Sequence, residues 1–197
     1  MADPSYIVDG VLTDPEAWVA LASTDITGDT ALVTYTSADD GSSLDWSQFM
    51  DLVLITYVRN TGTPAWYTTT TKMNFNNDTT SGNYQIQYFS GNGTAAAASH
   101  AGSANHALGG EDMPGANVAA NVFGCSVAQI FDINSGKYKS GITRSGAENA
   151  DNPYVTCSSW TWLSQAPITE IDLITGSVNF VDGCRFDLFG ILPRMVA

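Results

Sequence analysis

From Leu52 onward, apolar residues either alternate with polar ones or fall in short unbroken runs, and both patterns predict β-strands. Leu52-Val53-Leu54-Ile55-Thr56-Tyr57-Val58 is apolar on both faces, as a strand in the middle of a covered sheet must be. Tyr67, Thr69, Thr71, Met73 and Phe75 alternate with Thr68, Thr70, Lys72 and Asn74, and the alternation resumes from Tyr84 to Phe89 after a turn over Asn76 to Asn83. These two segments read as one long hairpin. The run of four threonines suits a strand and would be poor in a helix. Val122 to Ile133, Tyr154 to Leu163, Ile168 to Ile174 and Arg185 to Leu192 complete about eight antiparallel strands, with Ile171, Leu173, Phe186 and Leu188 facing inward. A chain whose last segment is a strand that must pair inside a sheet points to an all-β sandwich.

The first fifty residues have a different pattern. Asp14-Pro15-Glu16 supplies an N-cap, a proline at the first helical position and an acidic first turn, which predicts a short helix through Ala17-Trp18-Val19-Ala20-Leu21. Such a helix is too short to be stable alone, so Trp18, Val19 and Leu21 need a surface to pack against, either the sandwich or a neighbouring subunit. They are the candidate docking residues of an N-terminal extension, residues 1–50, that precedes a sandwich over 51–197. Thr30 to Tyr35 reads as a first strand, followed by a turn at Ala38-Asp39-Asp40-Gly41-Ser42. Between Ser90 and Asn121 the chain turns to Gly, Ala, Ser and Asn, and the expectation is a long loop ordered by a neighbouring subunit.

Charge narrows the partners. Twenty acidic residues against seven basic ones leave a net charge of −13, which repels a phosphate backbone and disfavours nucleic acid. No apolar run approaches the roughly 18 residues that cross a bilayer, so no membrane partner is expected. Met1-Ala2-Asp3-Pro4 lacks a signal-peptide layout, and the expectation is synthesis in a cytosol. Cys125, Cys157 and Cys184 lack zinc-site spacing and read as small buried side chains, with one disulfide left open.

Candidate chemistry is sparse. His100 and His106 with Glu111 and Asp112 match no metal-ligand spacing, and loop polarity is the better reading. Asp78, Thr79 and Asn83 offer oxygen ligands but no dedicated calcium pattern, so Asp78 is read as a turn cap. There is no Gly-x-Ser-x-Gly elbow, and neither histidine stands in a motif that would orient it. Pairing any two of the many carboxylates as glycosidase groups would be arbitrary. No metal, cofactor or catalytic residue is therefore expected. Trp46, Trp66, Trp160 and Trp162 suit a core or a subunit interface better than a sugar-stacking platform.

The order of these segments resembles the small jelly-roll proteins of tailed-phage virions. The similar pieces are Phe75 to Tyr84, Gly136-Lys137-Tyr138-Lys139, and the closing set Ile168 to Leu173, Asn179 to Phe186 and Leu188 to Ile191. They span Leu52 to Leu192; Cys184 stands where that family usually has Ser, and Phe189 where it has Tyr. The resemblance implies a non-enzymatic, usually homotrimeric virion protein, made in the bacterial cytoplasm. It implies a capsid decoration (cement) protein whose partner is the major capsid protein. The alternative is a tail-fibre or adsorption protein that binds a host-surface glycan.

Overall fold

The computed structural model describes residues 7–8, 11–12, 18–38, 44–63, 70–111, 113–147 and 153–192. In chain order the strands are β1 (Ile7–Val8), β2 (Val11–Leu12), β3 (Trp18–Asp25), β4 (Leu32–Thr36), β5 (Asp51–Val58), β6 (Thr71–Phe75), β7 (Tyr84–Gly91), β8 (Ala96–Ala104), β9 (Ala107–Gly110), β10 (Gly124–Phe131), β11 (Lys139–Ala147), β12 (Tyr154–Trp162), β13 (Glu170–Ile174) and β14 (Arg185–Ile191). A single 3-10 turn, Trp46–Gln48, precedes β5 and is capped by the Asp45 carboxylate on the Ser47 N–H. An eight-stranded sheet in the order β3-β14-β5-β10-β11-β12-β7-β8 faces a four-stranded sheet in the order β4-β13-β6-β9; β1 and β2 pair only with each other. Every pairing is antiparallel.

The two inner faces share one apolar core. Leu52, Leu54, Ile130, Phe186 and Leu188 from the large sheet meet Met73, Phe75, Ile171 and Leu173 from the small one, all without solvent exposure. The inward phase expected for Ile171, Leu173, Phe186 and Leu188 is the one observed. β5 is central, between β14 and β10, and β14 is itself inserted between β3 and β5.

Five expectations are corrected. Trp18 to Leu21 is strand, not helix: β3 pairs with β14 along its length. The described part of the first fifty residues is thus integral to both sheets, through β3 and β4, rather than an extension beside them. β6 and β7 are not a hairpin, because they lie in opposite sheets and Asn76 to Asn83 carries the chain across the core. Ser90 to Asn121 is ordered within its own chain, as β8, β9 and the connections around them. In place of about eight strands, the two sheets together hold twelve: β3 replaces the expected helix, β8 and β9 the expected loop, and β11 has no counterpart in the sequence pattern.

The hidden strand has a physical cause. Along β11 the inward positions are Lys139, Gly141, Thr143, Ser145 and Ala147, so its inner face carries almost no apolar signal. Over this part of the large sheet lies β9, the sequence Ala-Leu-Gly-Gly, whose backbone comes close because side chains are nearly absent. A Cβ at Gly110 would stand 2.8 Å from Ser126 Oγ. Hydroxyls of the large sheet therefore bond the β9 carbonyls: Thr143 Oγ1 donates to Leu108 O at 2.5 Å and Ser126 Oγ to Gly109 O at 2.6 Å. At the start of β11 the buried Lys139 ammonium donates to the carbonyls of Ser135 and Lys137, both at 2.6 Å. Burial pushes its pKa down.

Candidate functional site

The outward face of the eight-stranded sheet is the surface with the most to offer a partner. Paired residues in an antiparallel ladder share a face, so the registers trace rows across it. One row runs Arg185, Tyr57, Cys125, Gly146, Val155. The next runs Ser23, Asp187, Ile55, Val127, Arg144, Cys157, Phe89. A third carries Phe189, Val53, Gln129, Ile142, Ser159, Gln87 and His100. Phe89 and Val155 are 62% and 67% exposed, and Trp18, Tyr57 and Ile142 are also well exposed, so five of the eight exposed large hydrophobic residues among the described residues project from this face. Tyr57 stacks on Phe123 with ring centroids 4.9 Å apart, and Trp18 packs at 6.0 Å from Phe189. The carboxylate of Asp187 is held by Arg185 at 2.9 Å and by Ser23 Oγ at 2.7 Å, and Asp25 and Arg144 are exposed on the same face. In a chain of net charge −13 this leaves a broad surface with exposed apolar side chains and few charges, of both signs.

The candidate docking residues do not act together. Trp18 is half exposed on the outward face, at the β3 edge. Val19 is 1% exposed and belongs to the core, and Leu21, the extra residue at the β3–β14 bulge, packs against that core. Strand alternation puts Trp18 and Val19 on opposite faces of the sheet.

At the Asn76–Asn83 crossover, Asp78 is the turn cap expected and also the joint of the corner. Its Oδ1 accepts from Thr80 N at 2.9 Å, and its Oδ2 accepts from Asn83 Nδ2 at 2.9 Å and Trp162 Nε1 at 2.8 Å. Burial raises the carboxyl pKa, but the bonds from Trp162, Asn83 and Thr80 outweigh it and hold the group below the usual carboxylate range. Asn76 and Asn77 take the left-handed conformation, with φ of 51° and 58°. Asn76 Oδ1 accepts from the N–H groups of Thr169 and Glu170, which ties the corner to β13. Trp46, Trp160 and Trp162 are each 2% exposed and lie in the core; Trp66 is outside the described residues.

His100 is exposed on β8, while His106 is partly buried with Nδ1 against Asn105 Oδ1 at 2.8 Å. The Glu111 N–H donates to Ser145 Oγ, and Asp112 is outside the described residues. Among the described residues no three His, Cys, Asp or Glu side chains come together as a ligand set. Only Cys184 is buried, with its thiol against the Arg59 backbone; Cys157 is half-buried and Cys125 exposed, which corrects the expectation for both. Cys125 and Cys157 sit on β10 and β12 with β11 between, two strand spacings or about 9.5 Å apart across the sheet and two residues out of register along it, beyond disulfide reach. All three are free.

One further feature was invisible in the sequence. A shallow groove of about 660 Å³ crosses the outward face, lined by Gln85, Gln87, Ser159, Thr161, Phe131 and His100 among others, with no charged side chain. Its lining comes from five strands, so no contiguous motif marks it. Among the described residues no helix is long and apolar enough to cross a membrane. Comparison with protein-family models, with curated proteins and with solved structures gave no match.

Proposed function

We propose that this chain is a structural protein of a bacteriophage virion, a jelly-roll decoration protein that binds the outer surface of the major capsid protein as a homotrimer. The observation that carries the reading is the outward face of the eight-stranded sheet, where Trp18, Tyr57, Phe89, Ile142 and Val155 stand exposed among few charges. A monomer gains nothing from such a face, whereas an assembly covers it. At about 25 cal/mol per Å², an interface of about 1,600 Å² offers ample apolar burial even after association costs are subtracted. The mechanism is mechanical: bridging adjacent capsid subunits adds burial that must be lost before they part. The alternation of strands between the two sheets at most connections suits a jelly roll, and the acidic remainder of the surface suits a protein that avoids the packaged DNA.

Light scattering of the purified protein is expected to give about three times the 20.9 kDa chain mass. Phe89→Ser with Val155→Ser is expected to abolish both that assembly and binding to particles stripped of the native protein, with an unchanged melting temperature. Normal assembly and decoration by the double variant would remove the outward face from the reading.

The groove of about 660 Å³ favours the second reading, an adsorption protein that binds a host-surface glycan, because amide and hydroxyl groups beside Phe131 suit a neutral sugar. Gel densitometry of virions separates the two. Hundreds of copies mark a decoration protein, a few to a few dozen an adsorption device.

A further inference from the structure

Sheet edges attract other strands, and proteins protect them with charge, proline, bulges or covering segments. The small sheet obeys this at β9, whose Leu108 and Gly109 carbonyls are taken by Thr143 and Ser126 across the core. The large sheet does not at β8. This edge strand has β7 on one side only, and Ala96 through Ser103 are exposed on both faces. It carries no acidic residue, lysine, arginine or proline in a chain of net charge −13. The register with β7 is regular from Ala96 to Ala101 and shifts only beyond it, between Ala101 and Ala104.

The turn into β8 determines which backbone groups are free. Asn92 N–H donates to Ala95 O at 3.1 Å, closing a two-residue turn at Gly93-Thr94 with Gly93 at φ 83°. From that closing pair the ladder alternates, so Ala97, Ser99 and Ala101 bond to β7, whereas Ala96, Ala98 and His100 turn their N–H and C=O groups outward. These three residues are symmetric about Ala98.

We infer that β8 is a self-pairing edge, through which two copies join their eight-stranded sheets antiparallel about a two-fold axis at Ala98; its role as a neighbour-to-neighbour link on a particle rests on the assembly reading above. Ala98 faces Ala98 of the second copy, and Ala96 faces His100, so every outward group in the stretch finds a partner. The occupant is a second copy for two reasons. The outward groups are complementary to themselves under a two-fold rotation, and this strand is a place where two acidic chains approach without opposing like charges. Side chains no larger than histidine leave both faces clear for the incoming strand.

Ala98→Pro removes an outward N–H that β7 does not use, so the fold is expected to survive, as circular dichroism checks. Light scattering from the low micromolar to the near-millimolar range is expected to give the wild type twice the mass of this variant. The ratio separates the two readings. If the outward face does not make trimers but the edge pairs, a dimer becomes a monomer; if trimers form but the edge is inert, wild type and variant are both trimers, and the inference is overturned. A second test uses the facing residues directly. With Cys125→Ser and Cys157→Ser in place, Ala98→Cys sets two thiols on Cα atoms about 5.5 Å apart, within disulfide range. Oxidation is expected to link this variant into covalent pairs and to leave Ala97→Cys, displaced along the strand, unlinked. Equal crosslinking of the two overturns the inference.

Discussion

Gly141 is the position where the core tolerates least. It pairs with Trp160 across β11 and β12, and the indole lies over its α-carbon. A Cβ placed there would stand 2.1 Å from Trp160 Cζ2 and 2.6 Å from Cε2 and Cη2, all ring atoms of a side chain that is 2% exposed. The ring has nowhere easy to go, since Phe75 packs against it at 5.3 Å and its Nε1 donates to Thr143 Oγ1 at 3.2 Å. Gly141→Ala therefore carries an overpacking cost of about 1–3 kcal/mol. Rotation of the indole adds about 1 kcal/mol for the Thr143 bond, and replacing glycine in a strand returns about 0.5 kcal/mol. The net expectation is a loss of about 1.5–3.5 kcal/mol in urea unfolding followed by tryptophan fluorescence. Gly136→Ala, whose new methyl meets nothing within 4 Å, is the control and is expected to change stability by less than about 0.5 kcal/mol. In a Trp160→Phe background the benzo ring that meets the new methyl is gone, so Gly141→Ala is expected to cost at least about 1 kcal/mol less. Equal costs in both backgrounds, or a Gly141→Ala variant as stable as the control, would refute the argument that the indole is what excludes a side chain there.

Two further outcomes test the fold. Leu188→Ala, at a fully buried inner position, is expected to cost about 2–5 kcal/mol by cavity formation, while Asp187→Ala on the outward face loses only its contacts to Ser23 and Arg185 and costs under about 1 kcal/mol; equal losses in denaturant midpoint would contradict the strand phase. Burial, with the charge of Lys72 behind it, pushes His106 down from 6.5 to about 4, so the folded state refuses a proton that the unfolded chain accepts. Its contribution is present in full above about pH 6.5 and declines as pH falls toward 4, by at most about 3 kcal/mol. Comparing wild type with His106→Asn by unfolding at pH 7 and pH 4.5 is expected to show the wild type losing more stability on acidification, and parallel profiles would remove His106 from the account.

The all-β class and most of the core were legible in the chain. β5, β13 and β14 announce themselves because most of their inward positions are large and apolar, as are Tyr84 and Ile86 in β7 and Trp160 and Trp162 in β12, and burial of such side chains imposes a period of two on the sequence. Asp78 was legible as a cap because a carboxylate two residues before a free N–H is a local device. The candidate surface was not. Its rows run across strands, bringing together Tyr57, Cys125 and Val155 from three distant stretches, and only the ladder registers create them.

Where the sequence misled, a local signal met a stronger tertiary one. Asp14-Pro15-Glu16 is a sound helix start, yet Trp18 to Asp25 is strand, because the backbone hydrogen bonds offered by β14 outweigh a propensity of a few tenths of a kcal/mol per residue. β6 and β7 look like a hairpin from their spacing, but Asn76 and Asn77 in the left-handed conformation, with Asn76 bonded to β13, turn the chain across the core. β11 was silent because its inward positions answer the nearby backbone of β9 and need hydroxyls and absent side chains rather than oil. β8 was silent for the opposite reason: exposed on both faces along nearly its whole length, it buries almost nothing that a period could record. A sequence carries the period of whatever it buries against itself. Which sheet a strand joins, and which face is left for a partner, depends on contacts between residues far apart in the chain, and these exist only once it has folded.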